Sequence, residues 1–226
     1  YTADAVRAAE APLLAEGRPL MREAASALAG VVRDELERHP GPVLVLAGSG
    51  DNGGDALFAA AEFAAAAPHV DVVLTRDHVH REALHAATAA GVHLRPASDI
   101  CAGTDDYAVV VDGILGIGAS TDPRLRGTAR AVVEALLRRS TTARVVAVDV
   151  PSGLHPDSGD ADAAVLPAHI TVTFGAVKAG LVRGRGPELA GELRLVDLGL
   201  EPHLRRAHPA VTAPVHVVRV GSAQRA

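Results

Sequence analysis

Four short segments of this 226-residue chain bring glycines together with side chains that can bind ions or move protons. The first, Gly48-Ser-Gly-Asp-Asn-Gly-Gly-Asp55, has four glycines in seven residues and two carboxylates. Glycines at this density let backbone N–H groups approach an anion, and a helix beginning there adds a favourable dipole. Asp55 is a candidate N-cap for such a helix. The segment lacks the Gly-Lys-Ser/Thr of a Walker A loop and the usual Gly-x-Gly-x-x-Gly of dinucleotide sites. The second, Asp112-Gly-Ile-Leu-Gly-Ile-Gly118, runs into a polar loop where Arg124 and Arg126 offer planar guanidinium forks suited to phosphate. The third, Asp149-Val-Pro-Ser-Gly153, sets a carboxylate and a hydroxyl around a rigid proline and does not resemble the Gly-x-Ser-x-Gly nucleophile elbow. The fourth, Thr173-Phe-Gly-Ala-Val-Lys-Ala-Gly180, delivers Lys178 between glycines.

Rarity sharpens the reading. Of 22 basic residues 21 are Arg, so Lys178 is the single lysine, and Asn52 is the single asparagine. Asn52, Asp112 and Ser152 supply three oxygen donors from three separate segments, and oxygen ligation suits hard cations rather than zinc. The eleven histidines form no His-Glu-x-x-His pattern, and the single cysteine excludes an intrachain disulfide and a cysteine-based zinc site.

Positioning these groups requires a sheet. Val43–Ala47, Val70–Thr75, Tyr107–Asp112, Val145–Asp149 and Ile170–Phe174 are short, nearly continuous apolar runs, as in strands buried on both faces of a parallel sheet. Helical patterns over Asp55–Ala67, Val79–Ala90 and Thr128–Arg139 alternate with them. The first 38 residues read as helix, with Pro19 opening its second part and Pro40-Gly41-Pro42 closing it. Leu193–Val196 and Val215–Val218 are further candidate strands. The expected fold is α/β: a Rossmann-like, doubly wound, mostly parallel sheet flanked by helices, with N-terminal helices. One domain over residues 1–226 is expected, with helices in 1–40, an α/β core in 43–220 and a tail in 221–226. The four segments then fall at the carboxyl ends of strands, where open α/β sheets bind ligands.

Composition narrows the function classes. A net charge of −5, no Trp, two Tyr and three Phe argue against a nucleic-acid surface. No run approaches the ~20 apolar residues of a membrane span, so no membrane partner is expected and a cytoplasmic setting is. Alanine alone supplies 45 residues, which inflates the 48% apolar content beyond what core side chains contribute.

In this order and spacing the four segments resemble those of the YjeF N-terminal domain family, and Pro19-Leu-Met-Arg-Glu-Ala-Ala25 resembles its opening helix. Characterised members of that family are NAD(P)H-hydrate epimerases. The resemblance implies interconversion of the R and S forms of NADH and NADPH hydrated at C6, feeding an S-specific dehydratase that is a functional partner or a fused domain. It further implies one potassium ion per subunit on Asn52, Asp112 and Ser152. Substrate binding would fall on Asp51, Asn52, Gly53, Gly54, Asp55, Gly116, Ile117, Gly118, Ala119, Ser120, Thr121, Asp122 and Asp149. A homodimer is the family's common state. Two departures stand out: the usual Asn-Asn-Gly-Gly-Asp-Gly reads Asp51-Asn52-Gly53-Gly54-Asp55-Ala56, adding an acid near the expected phosphates and a methyl at the helix start, and the loop Ala119-Ser-Thr-Asp-Pro-Arg-Leu125 differs from the commoner form. Inverting C6 needs a proton donor and acceptor beside a carbon bearing OH, and Asp149 with Lys178 is the candidate catalytic pair. The alternative is a non-catalytic scaffold of the same fold that binds a nucleotide, an RNA end or a protein.

Overall fold

The computed structural model describes residues 1–103, 106–118, 122–139, 142–205, 207–212 and 216–220. Two helices, α1 (Ala3–Ala15) and α2 (Leu20–Arg38), open the chain. There follow β1 (Val43–Ala47), α3 (Asp51–Phe63), β2 (Val70–Leu74), α4 (Arg81–Ala89), β3 (His93–Leu94), α5 (Ala97–Ala102) and β4 (Val109–Gly113). Next come α6 (Gly127–Arg138), β5 (Arg144–Val148), β6 (Ile170–Phe174), α7 (Gly186–Leu189), β7 (Glu192–Val196), α8 (Glu201–Leu204) and β8 (Val217–Val220). The strands form one sheet in the order β3-β2-β1-β4-β5-β6-β7-β8, and each neighbouring pair is parallel.

Successive side chains on a strand point to opposite faces, and here both faces are apolar. Val43, Val45, Val109, Val111, Val146 and Val148 pack with α2 and α3, while Leu44, Leu46, Val110 and Val145 pack with α6. Burying both faces explains why the strands read as continuous rather than alternating runs. The chain order reverses direction at β1, with β2 on one side and β4 on the other, so the crevice beyond the carboxyl ends of β1 and β4 is the topological switch point. Among the described residues no helix is long and apolar enough to cross a membrane.

Several elements differ from expectation: the last strand, β8, runs over Val217–Val220 rather than Val215–Val218, and the short helices α7 and α8 are not among the expected ones. The helix after the first glycine segment starts at Asp51, with Gly50 as an N-cap that uses no side chain. Asp55 therefore does not cap it and lies instead one turn inside. Gly53 enters the helix because its neighbours leave no room for a side chain: a Cβ there would stand 2.1 Å from the Gly48 carbonyl oxygen. Strand β3 and helix α5 escape the sequence pattern, since both residues of β3 are exposed and α5 buries Ile100 alone. The tail at 221–226 lies outside the described residues.

Candidate active site

Each of the four glycine segments leaves the sheet at a strand's carboxyl end. After β1, the first turn of α3 brings Asn52 inward, and its Nδ2 donates to the carbonyls of Val148 and, at 3.3 Å, Leu115. The end of β4 provides Asp112, whose Oδ2 accepts from the Ser152 N–H at 2.8 Å and whose Oδ1 accepts from the Ile114 N–H at 3.4 Å. The Ser152 hydroxyl accepts from the Leu115 N–H at 2.9 Å and donates to the Leu115 carbonyl at 3.3 Å. Asn52, Asp112 and Ser152, all buried, thus converge around Leu115 and join the ends of β1, β4 and β5. Burial pushes the Asp112 carboxyl above its ordinary value, opposed in part by the hydrogen bonds from Ser152 and Ile114. Gly116 is fitted to this cluster, since a Cβ on it would come within 2.0 Å of Asn52 Oδ1.

Beyond β5 the backbone turns sharply at Asp149, which has φ 68° and is the single non-glycine residue in the left-handed region among those described. Such conformations cost about 1–3 kcal/mol and concentrate at functional sites. Asp149 Oδ1 accepts from Lys178 Nζ, from Thr173 Oγ1 at 3.2 Å and from the Phe174 N–H at 3.3 Å. Lys178 Nζ also donates to the Phe174 carbonyl at 2.8 Å and to Thr173 Oγ1 at 3.3 Å. Lys178 is 1% exposed and Asp149 3%, so this is a fully buried ion pair with its hydrogen bonds supplied by the end of β6. A buried pair of this kind needs such partners to offset desolvation.

Other acids crowd the pair. Asp55 is buried, and burial together with Asp149, Asp51 and Glu10 pushes its carboxyl well above the ordinary range. Glu10, half-buried on α1, is raised by burial first and then by Asp149 and Asp51, against the pull of Lys178. One turn earlier, Arg7 donates to the Ile117 carbonyl, which ties α1 across the loop after β4. Glu10 was not among the candidates read from the sequence. It precedes every strand, and only its one-turn spacing from Arg7 hints that it shares Arg7's face.

Arg124 and Arg126, both exposed, share an acidic partner on their own loop. Arg124 pairs with Asp122 at 2.8 Å and Arg126 pairs with the same carboxylate. Arg124 holds the Asp122 carboxyl well below its ordinary range. Both arginines, with Ser49, Thr75, Arg76 and Leu115, line a cavity of 390 Å³ beyond β1, β2 and β4. A larger cavity of 530 Å³, lined by Tyr1, Ala176, Asp197, Arg205 and Arg219 among others, holds none of the candidate residues. Of the expected substrate contacts, Asp51 and Gly118 are exposed, Gly116, Ile117 and Asp122 are half-buried, and Ala119, Ser120 and Thr121 lie outside the described residues.

The model for the family described as YjeF-related protein N-terminus matches residues 17–180. An NAD(P)H-hydrate epimerase of Microbacterium testaceum is 70% identical over 219 residues, covering 97% of this chain and 86% of that protein. A bifunctional NAD(P)H-hydrate repair enzyme, Nnr, of Mycobacterium tuberculosis is 40% identical over 209 residues, covering 89% of this chain and 41% of that longer protein. The crystal structure of the yeast protein ynu0 (YNL200c) shares the fold, with a TM-score of 0.68 at 19% identity over 80% of this chain and 82% of that one.

Proposed function

The chain belongs to the YjeF-related protein N-terminus family, and on that premise we propose that it is an NAD(P)H-hydrate epimerase, interconverting the R and S forms of NADH and NADPH hydrated at C6. The observation that carries this reading to chemistry is the buried Asp149–Lys178 pair at the carboxyl ends of β5 and β6. Inversion of a carbon bearing OH and a ring nitrogen needs a proton removed and a proton returned. Asp149 meets that need. Among the described residues its Oδ1 takes the three hydrogen bonds, which leaves Oδ2 for the substrate hydroxyl or a water. Lys178 fixes the carboxylate in place and supplies positive charge where the proton moves. The glycine segment at the start of α3 would receive the nucleotide phosphates, with backbone N–H groups as donors and the helix dipole adding a favourable field.

The donor set around Leu115 fits a hard monovalent cation: an amide, a carboxylate, a hydroxyl and a carbonyl from three strand ends, without sulfur or imidazole. Asn52, Asp112 and Ser152 would hold one potassium ion per subunit. Its contribution is to tie the three loops together and orient the site.

The reaction supplies an S-specific dehydratase with substrate. Fusion of the two activities is consistent with the M. tuberculosis relative being named a bifunctional repair enzyme. The test is a coupled assay in which racemic hydrate is presented to an S-specific dehydratase with and without this protein. Disappearance of the R form should accelerate; loss of the R form at the spontaneous rate would overturn the reading.

A further inference from the structure

Asp55 takes no part in the proton transfers assigned to Asp149 and Lys178. Asp55 is 5% exposed, and its Oδ1 is the one buried side-chain oxygen or nitrogen with no hydrogen-bond partner among the described residues. An unpaired buried polar atom costs free energy, so its retention calls for something that binds it. The charged groups that act on it are Asp149 from the end of β5, Asp51 from its own helix, Glu10 from α1 and Lys178 from beyond β6. Burial first, and then three carboxylates against one ammonium, favour the protonated form of this carboxyl.

Position gives this proton a use. Asp55 hangs from the helix after β1 and Asp149 from the end of β5, with β4 between those strands in the sheet. A hydroxyl that inverts must leave one face of the ring and return on the other, and a single acid–base group serves one face. Building on the epimerase reading, we infer that Asp55 is the second catalytic acid–base group and delivers its proton to the C6 hydroxyl as that group departs as water. The C6–O bond breaks with its electron pair on oxygen, which takes the Asp55 proton. The ring nitrogen's lone pair forms a C6=N1 double bond and leaves a cation. A second water then adds to the opposite face: its oxygen bonds C6, the C=N pair returns to nitrogen, and the water's extra proton passes to Asp149. One water leaves and one enters, and a proton moves from Asp55 to Asp149; in the reverse direction the two carboxyls exchange roles. The acid-rich surroundings favour this route over opening of the ring, because they stabilise the cation that only hydroxyl departure creates.

The two routes differ in the fate of oxygen. Pure R hydrate is incubated in ¹⁸O-water with wild-type protein, with Asp55→Asn and without protein, and the S product is isolated before spontaneous conversion contributes. Wild-type protein should place one solvent oxygen in each S molecule formed. Asp55→Asn, a neutral isostere, should lose roughly 10²–10⁴-fold in kcat with KM little changed. Its Tm near neutral pH should equal or exceed that of the wild type, because no charge is then pressed on the buried site. S product that retains its original oxygen overturns the inference, as does Asp55→Asn with near-full kcat. The ¹⁸O result needs no variant and so stands even if Asp55→Asn misfolds. Wild-type protein with no acceleration at all would instead overturn the epimerase reading, so the two failures are distinguishable.

Discussion

Asp149 occupies a backbone conformation that Asp and Asn tolerate better than other side chains, because their short polar groups bond locally. Asp149→Asn should therefore keep the turn, while an amide beside Lys178 leaves the buried ammonium poorly neutralised. We expect a lowered Tm and a kcat loss of roughly 10²–10⁴-fold. Adding Lys178→Met to Asp149→Asn removes the stranded charge, and the double variant should regain Tm without regaining activity. Thermal melts beside initial rates check both halves; a double variant that regains activity would show the pair to be structural. At this scale much was legible. Lys178 and Asn52 announce themselves as the sole residues of their type, and Asp149 by the proline that follows it in sequence. Asp55 was legible as an acid but not in its role, since a helix starting at Asp51 was hidden by glycines that ordinarily end helices. The Arg124 and Arg126 forks were visible while their shared partner Asp122 was not, because ion pairing within a loop leaves no periodic signal.

Among the elements, α2 is held to the sheet by Glu35. Although 2% exposed, Glu35 accepts from Arg144 Nε on β5 at 2.9 Å and from Arg38 at 2.9 Å. Burial opposes its charge, but the Arg144 and Arg38 bonds outweigh burial and hold its carboxyl below the usual value of 4.5. A lowered folded pKa gives stability that is present above pH 4.5 and lost as pH falls through the folded pKa. Glu35→Gln should therefore flatten the acid side of the Tm–pH curve. Glu35→Ala should cost about 1–3 kcal/mol, less than a fully buried pair, because Arg38 and Arg144 can turn to water. That corresponds to roughly 2–4 °C of Tm per kcal/mol in a chain of this size. Unchanged acid-side melting in Glu35→Gln would contradict the assignment. The central strands were legible because burial on both faces writes continuous apolar runs, as in Val43–Ala47 and Ile170–Phe174. Strand β3 was not, because two exposed residues at a sheet edge bury nothing that a pattern can record.

Among the described residues eight parallel strands form one sheet, and a cation on Asn52, Asp112 and Ser152 would couple the loops that follow β1, β4 and β5. Potassium should raise Tm relative to an equal concentration of a large organic cation, with the difference growing as RT ln(1 + [L]/Kd). Asp112→Asn should abolish that increment, and an increment that survives it would remove Asp112 from the site. A homodimer is the expected assembly, and sedimentation at micromolar concentration giving a mass of 23.1 kDa would contradict it. The central claim, that this fold inverts C6 of a hydrated nicotinamide nucleotide, is tested most directly by starting from pure R hydrate in one vessel and pure S hydrate in another. Followed by chromatographic separation of the epimers without any dehydratase, both vessels should converge on one R:S ratio far faster than the enzyme-free controls. Two vessels that keep pace with their controls would contradict the account.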